Sequence, residues 1–431
     1  MAQVLMVGWE FPPLFRGGLG VATYGLVKAL SPKNDIRLII PSAASSSELD
    51  NVNIIGLNRI TKEEINLERL QFQFAFPNME VHQLPIAVSP YHHLNAEMEK
   101  AQWQEFELLR EGKGSVEAIN SIFSDREMYG GNVMHKVYLF SKLAEEIAAD
   151  GDFDVIHAHD WITYPAGVNI KNRTGKPLIL HVHALETDRA GFGTRNEIYW
   201  LERNAMELAD RIISVSQYTK DQILQHYHID PTKISVVHNG IAPADIPRTT
   251  HKLKDKLVVF LGRLTHQKGP QFLVETAEKV SKIYPRVKFV VAGTGDQFAH
   301  LLESSAYRKM GRKFLFTGFL SKAKVDELLS LADVYFMPSV SEPFGLTALE
   351  AAQHHVPSVI SARSGAAEVM KASLQADFWD TDKYANYIHA LLKYNALRTE
   401  LTNAARQELK SLTWDAAAVK ISGVYNSYSK N

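Results

Sequence analysis

Short apolar runs alternate with stretches of helical periodicity along most of the chain. The runs contain few polar interruptions, which is typical of strands buried on both faces of a parallel sheet. Helices between such strands cover the two faces. The predicted strands fall into two series, the first at 4–7, 36–40, 155–157, 178–181, 211–215 and 234–237, and the second at 257–261, 288–292, 314–317, 334–337 and 358–361. The pattern therefore predicts an α/β fold with two doubly wound parallel-sheet units.

A segment rich in Pro, Gly and polar residues, 239–252, separates the two series, and we interpret it as a linker. This predicts an N-terminal domain over 1–246 and a C-terminal domain over 253–413. Residues 60–135 interrupt the first series, and we expect them to form a surface insertion of the first domain. The last segment, 414–431, carries apolar residues at helical spacing, and an isolated helix of this kind needs a partner surface.

Composition narrows the functional classes. A length of 431 residues suits two domains of about 200 residues each. The formal net charge of −1 gives no electrostatic reason to expect nucleic acid as a partner. The chain has no Cys, no uninterrupted apolar run long enough to span a bilayer, and no basic and apolar leader at its start. We therefore expect a cytoplasmic protein with no transmembrane segment, and peripheral contact with a membrane is left open.

The most informative segment, 341–350, reads Ser-Glu-Pro-Phe-Gly-Leu-Thr-Ala-Leu-Glu and follows a predicted strand. Pro343 disfavours helix at Glu342, and Gly345 permits a sharp turn before an Ala-rich helix. Glu350 then lies inside that helix, with its side chain leaning toward the N-terminus. Two carboxylates therefore flank a helix N-terminus, which suits sugar hydroxyls beside a phosphate group.

The segment 262–269, Gly-Arg-Leu-Thr-His-Gln-Lys-Gly, follows the first strand of the second series. Arg263 and Lys268 place two cations before a predicted helix, and two such cations can neutralise a departing diphosphate. The alternative is a solvated basic turn. The nearby Asp-x-Asp at 152–154 is explained by capping or solvation, so we predict no metal site and expect protein cations in its place.

Paired glycines, Gly17 and Gly18, follow the first predicted strand and precede a helix expected to begin near Val21. Glycines allow a ligand to approach the backbone, and a helix N-terminus favours an anion. The alternative is a tight strand-to-helix turn. The spacing does not match the dinucleotide-binding fingerprint. Residues 293–295, Gly-Thr-Gly, are interpreted as a turn that ends a strand.

Polar residues end the strand at 155–157, where ligands bind in open parallel sheets. His159, with Asp160 beside it, is a candidate functional residue, although a single His there is also commonly structural. His157 is expected on the other face of the strand in a structural role.

The next strand ends with His181 and His183, which face the same side. They could form a metal pair, but no third ligand is evident in the sequence. We favour an acceptor-binding or orienting role for His183 and for Glu186, together with Asp160.

These motifs together resemble the retaining glycosyltransferases of the glycogen and starch synthase type, and most closely glycosyltransferase family four. The resemblance runs nearly end to end and rests on Gly17-Gly18, His159-Asp160, Arg263 with Lys268, Glu342 with Glu350, and the stretches 154–163, 236–240, 262–269 and 342–346. It implies the GT-B fold: two Rossmann-like domains facing a cleft, with the C-terminal helix at 414–431 crossing back to the N-terminal domain.

The resemblance also implies roles on the donor side. Arg263 and Lys268 would stabilise the departing diphosphate, Glu342 would lie by the donor sugar, and Glu350 would hold the ribose hydroxyls. The turn and the start of the helix, which lie between the two carboxylates, would contact the nucleotide. The residues of this turn and helix start are Phe344, Gly345, Leu346 and Thr347.

On the acceptor side, the resemblance implies that His159 contacts the transferred sugar and that Gly17 and Gly18 approach the phosphates. Bacterial glycogen synthases carry Lys two residues before the paired glycines, where this chain has Phe15. Arg16 would supply the charge from a shifted position.

The resemblance implies a retaining enzyme that moves a hexose, glucose above all, from a nucleotide-diphosphate sugar to a sugar, glucan or glycolipid. UDP-glucose or ADP-glucose is the expected donor substrate, and no further cofactor is expected. A catalytically silent nucleotide-sugar-binding protein and a sugar-nucleotide epimerase of the same fold are the alternatives. The base, the acceptor and the oligomeric state are left open.

Overall fold

The computed structural model describes residues 1–14, 17–44, 49–65, 67, 115–124, 129, 133–149, 151–244, 246 and 253–428. Its first sheet is parallel throughout and has seven strands in the order β3-β2-β1-β4-β5-β6-β7. These are β1 Ala2–Val7, β2 Asn34–Ile40, β3 Val52–Gly56, β4 Val155–His159, β5 Leu178–Val182, β6 Arg211–Ser214 and β7 Ile234–Val236.

The second sheet is also parallel and has six strands in the order β10-β9-β8-β11-β12-β13. These are β8 Lys256–Leu261, β9 Val287–Ala292, β10 Phe314–Gly318, β11 Val334–Met337, β12 Ser358–Ser361 and β13 Leu374–Ala376. In each sheet the strand order reverses once, between β1 and β4 and between β8 and β11. Such reversals are where ligands bind in open α/β sheets.

Helices cover both faces of each sheet. Around the first sheet the described α-helices are Gly18–Leu30, Val116–Ser124, Val133–Ala148, Tyr164–Thr174, Glu186–Ala190, Glu197–Leu208 and Gln217–Tyr227. The second domain contributes Pro270–Ile283, Phe298–Tyr307, Lys322–Leu331, Leu346–Gln353, Ala366–Val369, Thr381–Lys393 and Asn395–Leu409, and Trp414–Asn426 ends the series.

Strand β1 shows why its sequence lacks polar alternation. Leu5 and Val7 pack into one hydrophobic core, whereas Val4 and Met6 pack into the core on the opposite face. Both sets of side chains are therefore removed from water, and the prediction of doubly wound parallel sheets is confirmed.

Two strands escaped the sequence prediction, and both lie at sheet edges. Strand β3 has alternating burial at its start, and β13 is only three residues long. Neither has the continuous apolar character on which the prediction relied.

The C-terminal helix Trp414–Asn426 returns to the first domain, as predicted. It packs on the helix Gly18–Leu30, and Asn34 Nδ2 donates to Ser422 Oγ at 3.1 Å. Gly240 permits the return: a Cβ there would lie 2.2 Å from the backbone nitrogen of Trp414.

The predicted domain boundaries stay predictions, since most of 245–252 lies outside the described residues. Most of the predicted insertion at 60–135 also lies outside the described residues. The described part of it contains the helix Val116–Ser124, whose Ile119 and Phe123 are fully buried in the first core. One face of that helix is therefore part of the core, whereas Glu117, Ser121 and Ser124 on its other face are exposed.

Among the described residues, no helix combines the length and the apolar character needed to cross a bilayer.

Replacement of Gly25 by Ala tests the packing of the returning helix. A Cβ at Gly25 would lie 2.4 Å from the Trp414 indole ring. We expect Gly25→Ala to lower the free energy of unfolding by about 1–2 kcal/mol, because overpacking outweighs the gain in helix propensity. Urea denaturation measures this change.

Gly423 provides the matched control, because it lies in the helix Trp414–Asn426 and a Cβ there would meet nothing within 4 Å. Gly423→Ala should raise the free energy of unfolding by about 0.5–1 kcal/mol. Equal effects of the two substitutions would contradict the packing described.

Candidate functional site

The loop after β8 is held against the loop after β9 by glycine. A Cβ at Gly293 would lie 1.9 Å from the carbonyl oxygen of Gly262, and one at Gly295 would lie 2.2 Å from that of Leu264. The backbone nitrogen of Leu264 donates to Thr294 at 2.9 Å. Residues 293–295 form the loop that ends β9, and the turn itself lies at 296–297 rather than at the predicted 293–295. This loop supports the segment that carries Arg263 and Lys268.

Gly269 brings the same segment against the end of β11. Its φ is +66°, and a Cβ there would lie 2.2 Å from the carbonyl oxygen of Pro338. The backbone nitrogen of Val340 donates to the carbonyl of Gln267 at 2.9 Å. The two predicted donor-side motifs, distant in sequence, therefore lie side by side.

Lys268 and Glu342 join these motifs directly. Lys268 Nζ lies 2.5 Å from Glu342 Oε2, which also accepts a hydrogen bond from Ser339 Oγ at 3.1 Å. Glu342 is only 5% exposed. A buried carboxylate is costly without a cation, so the lysine and the glutamate depend on each other.

The backbone around Glu342 has the predicted form. Glu342 makes a parallel bridge with Ser364, and its N–H donates to Arg363 at 3.0 Å. Gly345 follows with φ of +104°, a conformation that favours glycine, and the helix Leu346–Gln353 begins at the next residue. A helix N-terminus therefore lies three to four residues beyond the Lys268–Glu342 pair.

The other predicted donor-side residues lie on or beside that helix. Phe344 is buried, and Thr347 Oγ1 is 2.6 Å from the hydroxyl of Tyr335. Glu350 Oε1 accepts from Lys322 Nζ at 3.2 Å. The sequence reasoning missed Lys322, because it comes from a separate helix and no motif links it to Glu350.

Arg263 is exposed at the end of β8, and in the described part of the chain no carboxylate forms an ion pair with it. It therefore keeps its charge available for a ligand, whereas Lys268 is partly neutralised by Glu342.

The paired glycines open the first helix of the chain. Gly17 caps the helix Gly18–Leu30, which begins earlier than the predicted start near Val21. The carboxylate of Glu10 accepts from the backbone nitrogen of Gly20 at 3.1 Å, and a Cβ on Gly17 would lie 2.5 Å from it. Arg16 lies outside the described residues. Glu10, which fixes this turn, was missed because it stands outside the glycine motif.

Four histidines at the ends of β4 and β5 form one group, the histidine cluster: His157, His159, His181 and His183. The expectation that His157 faces away from His159 is wrong. Residues two apart on a strand share a face, and the two ring centroids are 4.2 Å apart. His181 and His183 stack at 4.4 Å on the same side of the sheet.

Burial makes the histidine cluster neutral. Desolvation lowers the pKa values of His157, His159 and His181 well below their ordinary value, and neighbouring histidines lower them further. Desolvation also lowers the pKa of His183, to about 3. His159 is 0% exposed and its Nδ1 lies 3.0 Å from His183 Nε2, so its predicted sugar contact stays a prediction.

The predicted acceptor residues Asp160 and Glu186 are buried beside the cluster. Burial raises the pKa of Asp160 to about 6, against the opposing effect of Arg189, and its Oδ1 accepts from Trp161 N. Glu186 is bound by Arg189 at 2.9 Å and by Asn196 at 2.7 Å. Of the predicted acceptor residues, only His183 is partly exposed among the described residues.

Hydrogen bonds connect the two domains next to the site. Ser341 donates to the carboxylate of Asp188, and Ser216 Oγ donates to the carbonyl of Pro343 at 2.6 Å. The segment that contains Glu342 therefore also contacts the first domain.

Glu368 makes a second connection between the domains. Its carboxylate accepts from the backbone nitrogens of Gln217 at 2.9 Å and Tyr218 at 2.5 Å, and it lies 2.7 Å from His238 Nε2. Burial favours a higher pKa for Glu368, but these hydrogen bonds outweigh it and hold the pKa below its ordinary value.

Two family models match adjoining parts of the chain. The model described as Glycosyltransferase Family 4 matches residues 118–245, and the model described as Glycosyl transferases group 1 matches residues 242–408. They meet where the sequence predicts the linker between the domains.

Relatives match nearly the whole chain. An uncharacterized glycosyltransferase of Methanocaldococcus jannaschii is 26% identical over 98% of this chain and 97% of its own. A glycogen synthase of Mycobacterium tuberculosis is 24% identical over 98% and 94%, respectively. An alpha-maltose-1-phosphate synthase of Mycolicibacterium smegmatis is 29% identical over 64% and 79%.

Solved structures share the fold. A sucrose-phosphate synthase of Thermosynechococcus elongatus has a TM-score of 0.66 and 17% identity, with 99% of each chain covered. The Anabaena protein HepE, solved with UDP and glucose, has a TM-score of 0.66 and 15% identity over 99% of this chain and 100% of its own.

The two parallel sheets and the returning helix define the GT-B fold. The family models and the relatives named glycosyltransferase and glycogen synthase show that the chain is an enzyme that transfers a sugar from a nucleotide sugar. The two family models and the relatives that match nearly the whole chain are all glycosyltransferases, which confirms the resemblance of its motifs to that class. The silent binding protein and the epimerase are thereby disfavoured.

The hydrogen bonds of Glu368 predict that the free energy of unfolding depends on pH. Because its folded-state pKa is lowered, the carboxylate stabilises the protein above its ordinary pKa of 4.5, and this contribution is lost as the pH falls through the folded-state value. At neutral pH, Glu368→Gln should lower the free energy of unfolding by about 1.5–3 kcal/mol, the range for hydrogen bonds to charged groups. The difference in the free energy of unfolding between the wild type and Glu368→Gln should become smaller as the pH is lowered.

Denaturant unfolding at several pH values measures this difference. Glu327→Gln is the control, because Glu327 pairs with Lys324 at the surface and should change the free energy of unfolding by less than about 1 kcal/mol. A deficit in Glu368→Gln that stays constant down to acidic pH would exclude a role for the carboxylate charge.

Proposed function

We propose that this enzyme is a retaining hexosyltransferase that moves glucose from UDP-glucose or ADP-glucose to a sugar, glucan or glycolipid acceptor. The observation that carries the proposal is the Lys268–Glu342 pair, 2.5 Å apart, between exposed Arg263 and the N-terminus of the helix Leu346–Gln353. No further cofactor is part of the proposal, and a cytoplasmic location stays a prediction.

The donor-side geometry fits a nucleotide diphosphate. Arg263 and Lys268 supply cations, and the free N–H groups at the start of the helix Leu346–Gln353 favour an anion. Lys268 is held in place by Glu342 before a ligand arrives, which reduces the conformational entropy lost on binding. In the proposed complex Lys268 contacts both the Glu342 carboxylate and the diphosphate.

Glu350 is proposed to accept hydrogen bonds from the ribose hydroxyls. Its link to Lys322 at 3.2 Å holds the carboxylate in position and leaves its second oxygen for a ligand. HepE is solved with UDP and glucose, and this supports a uridine donor for the shared fold. The relatives named glycogen synthase and alpha-maltose-1-phosphate synthase support a glucan or a sugar phosphate as acceptor.

The acceptor is proposed to approach from the carboxyl ends of β4 and β5. His183 is the partly exposed residue there, with Asp160 and Glu186 buried behind it. Because the ring of His159 is enclosed, contact with the transferred sugar is proposed through its backbone or after a local shift. Gly17 and Gly18 allow the diphosphate to approach the helix N-terminus from the first domain.

The proposed reaction occurs on one face of the sugar. The bond between the anomeric carbon and the diphosphate oxygen breaks, and the acceptor oxygen bonds to that carbon on the same side. The acceptor proton passes to the departing phosphate oxygen. Arg263 and Lys268 offset the charge that develops on the diphosphate, a stabilisation that preorganised cations supply most effectively.

A panel of nucleotide sugars tests the substrate class. We expect release of UDP or ADP from the glucose donor to require an acceptor for sustained turnover, and the product to keep the anomeric configuration of the donor. Nuclear magnetic resonance of the first product formed measures that configuration. An inverted product, or nucleotide release that is indifferent to every acceptor, would contradict the proposal.

Replacement of Lys268 tests the donor-side role. Lys268→Ala should reduce kcat by about a hundredfold, because one charge-stabilising group is lost from the transition state. It also leaves Glu342 without its cation, so we expect the free energy of unfolding to fall by about 3 kcal/mol. Steady-state kinetics and urea denaturation of the same preparation separate the two effects.

Two further variants serve as controls. Lys268→Ala with Glu342→Gln should recover much of the stability and none of the rate, because the unpaired charge is removed while the cation stays absent. Lys279→Ala, on the helix that follows the loop, should leave kcat unchanged, since Lys279 pairs with Asp382. A double variant that regains the rate would show that Lys268 has only a structural role.

A further inference from the structure

The histidine cluster offers more nitrogen atoms than its protein partners use. His157, His159 and His181 are at most 2% exposed, and one potential ligand atom from each lies within 4.8 Å of the other two. Strand register explains the grouping, because β4 and β5 pair in parallel with His159 opposite His181. The three imidazoles therefore converge from two neighbouring strands on one face of the sheet.

Several of these nitrogens lack partners. Among the described residues, Nε2 of His157, Nε2 of His159 and both ring nitrogens of His181 are buried without a hydrogen bond. An unsatisfied buried polar group costs about 1–3 kcal/mol, and native proteins rarely gather several at one place. A ligand that accepts nitrogen lone pairs would remove this cost.

The second ring nitrogen, Nδ1, of His157 and of His159 already has a hydrogen-bond partner. His157 Nδ1 lies 2.6 Å from the hydroxyl of Tyr425, and His159 Nδ1 lies 3.0 Å from His183 Nε2. A proton on each Nδ1 leaves a lone pair on each Nε2. This is the arrangement of metal-bound histidines, whose second nitrogen is fixed by a hydrogen bond.

The ligand set favours a particular class of ion, since all three candidate ligand atoms are imidazole nitrogens. Neutral imidazole suits zinc and the late first-row ions, whereas Mg²⁺ and Ca²⁺ require oxygen ligands. The chain contains no Cys, so thiolate ligands are excluded.

We propose that His157, His159 and His181 bind one divalent transition-metal ion, with Zn²⁺ as the ion to test. The site has a structural role. It would join β4 to β5 and, through the hydrogen bond between His157 and Tyr425, join both to the returning helix Trp414–Asn426. The ion takes no part in the sugar-transfer mechanism, in which protein cations stabilise the diphosphate. It would hold the ring of His159 in place, so that His159 could contact the transferred sugar only through its backbone.

Metal binding is measured on the full-length wild-type enzyme, purified without a metal-affinity column and treated with a chelator. Equilibrium dialysis against Zn²⁺, followed by elemental analysis, should give one ion per chain. Co²⁺ should give visible absorption bands of a nitrogen-ligated ion, and Mg²⁺ should not bind at the site. Zn²⁺ should also raise Tm, because an ion that binds the native state stabilises it. A Zn²⁺ content well below one per chain would overturn the proposal, whatever the variants do.

Variants identify the ligands. His181→Gln should weaken Zn²⁺ binding by more than about a hundredfold, since even loss of a supporting residue costs 10–100-fold. Tyr425→Phe keeps all three imidazoles and should weaken binding by about tenfold, which provides a test if His181→Gln fails to fold. His300→Gln is the control, because His300 is exposed on the helix Phe298–Tyr307. Equal Zn²⁺ affinity in the wild type, His181→Gln and Tyr425→Phe would place the ion elsewhere and refute the assignment.

Discussion

The buried ion pair between Lys268 and Glu342 is the interaction on which the candidate site depends. Its lysine comes from the loop after β8, and its glutamate from the segment after β11, so the pair spans the point where the strand order reverses. Glu342 could not remain buried without a cation, and Lys268 would lose its fixed position without the carboxylate. The same pair therefore stabilises the second domain and, in the proposed function, holds a cation in place for a diphosphate.

Glycine makes this pairing sterically possible. Gly269, Gly293 and Gly295 each stand where a Cβ would overlap a backbone carbonyl, at 1.9–2.2 Å. Sequence reasoning treated 293–295 as a turn that ends a strand; these residues do follow β9, but the turn lies at 296–297 and the packing against the other loop was not foreseen. The close packing of two loops depends on backbone atoms from both, and a motif in one loop does not reveal the other. A similar limit explains why Lys322 and Glu10 were missed: each contacts a motif without belonging to it.

The histidines show a different limit. Their positions at the ends of two strands were read correctly, and the strand period of two places His157 beside His159, although we expected the opposite. What the sequence left open is the register of β4 against β5, which sets His159 opposite His181 and turns two pairs into one cluster. Tyr425 joins them at 2.6 Å from the far end of the chain, through the returning helix.

The sequence alone determined the two parallel sheets, because unbroken apolar strands and local turn residues act over short distances along the chain. The return of the C-terminal helix and the class of enzyme followed from the resemblance of the motifs to known glycosyltransferases. The sequence also identified Arg263, Lys268, Glu342 and Glu350 as one group, through their resemblance to a known pattern. Only the tertiary structure decided that Lys268 and Glu342 are paired, that Glu350 is held by Lys322, and that His159 is enclosed. These are contacts between elements distant in sequence, and their distances depend on how the loops pack rather than on any local pattern.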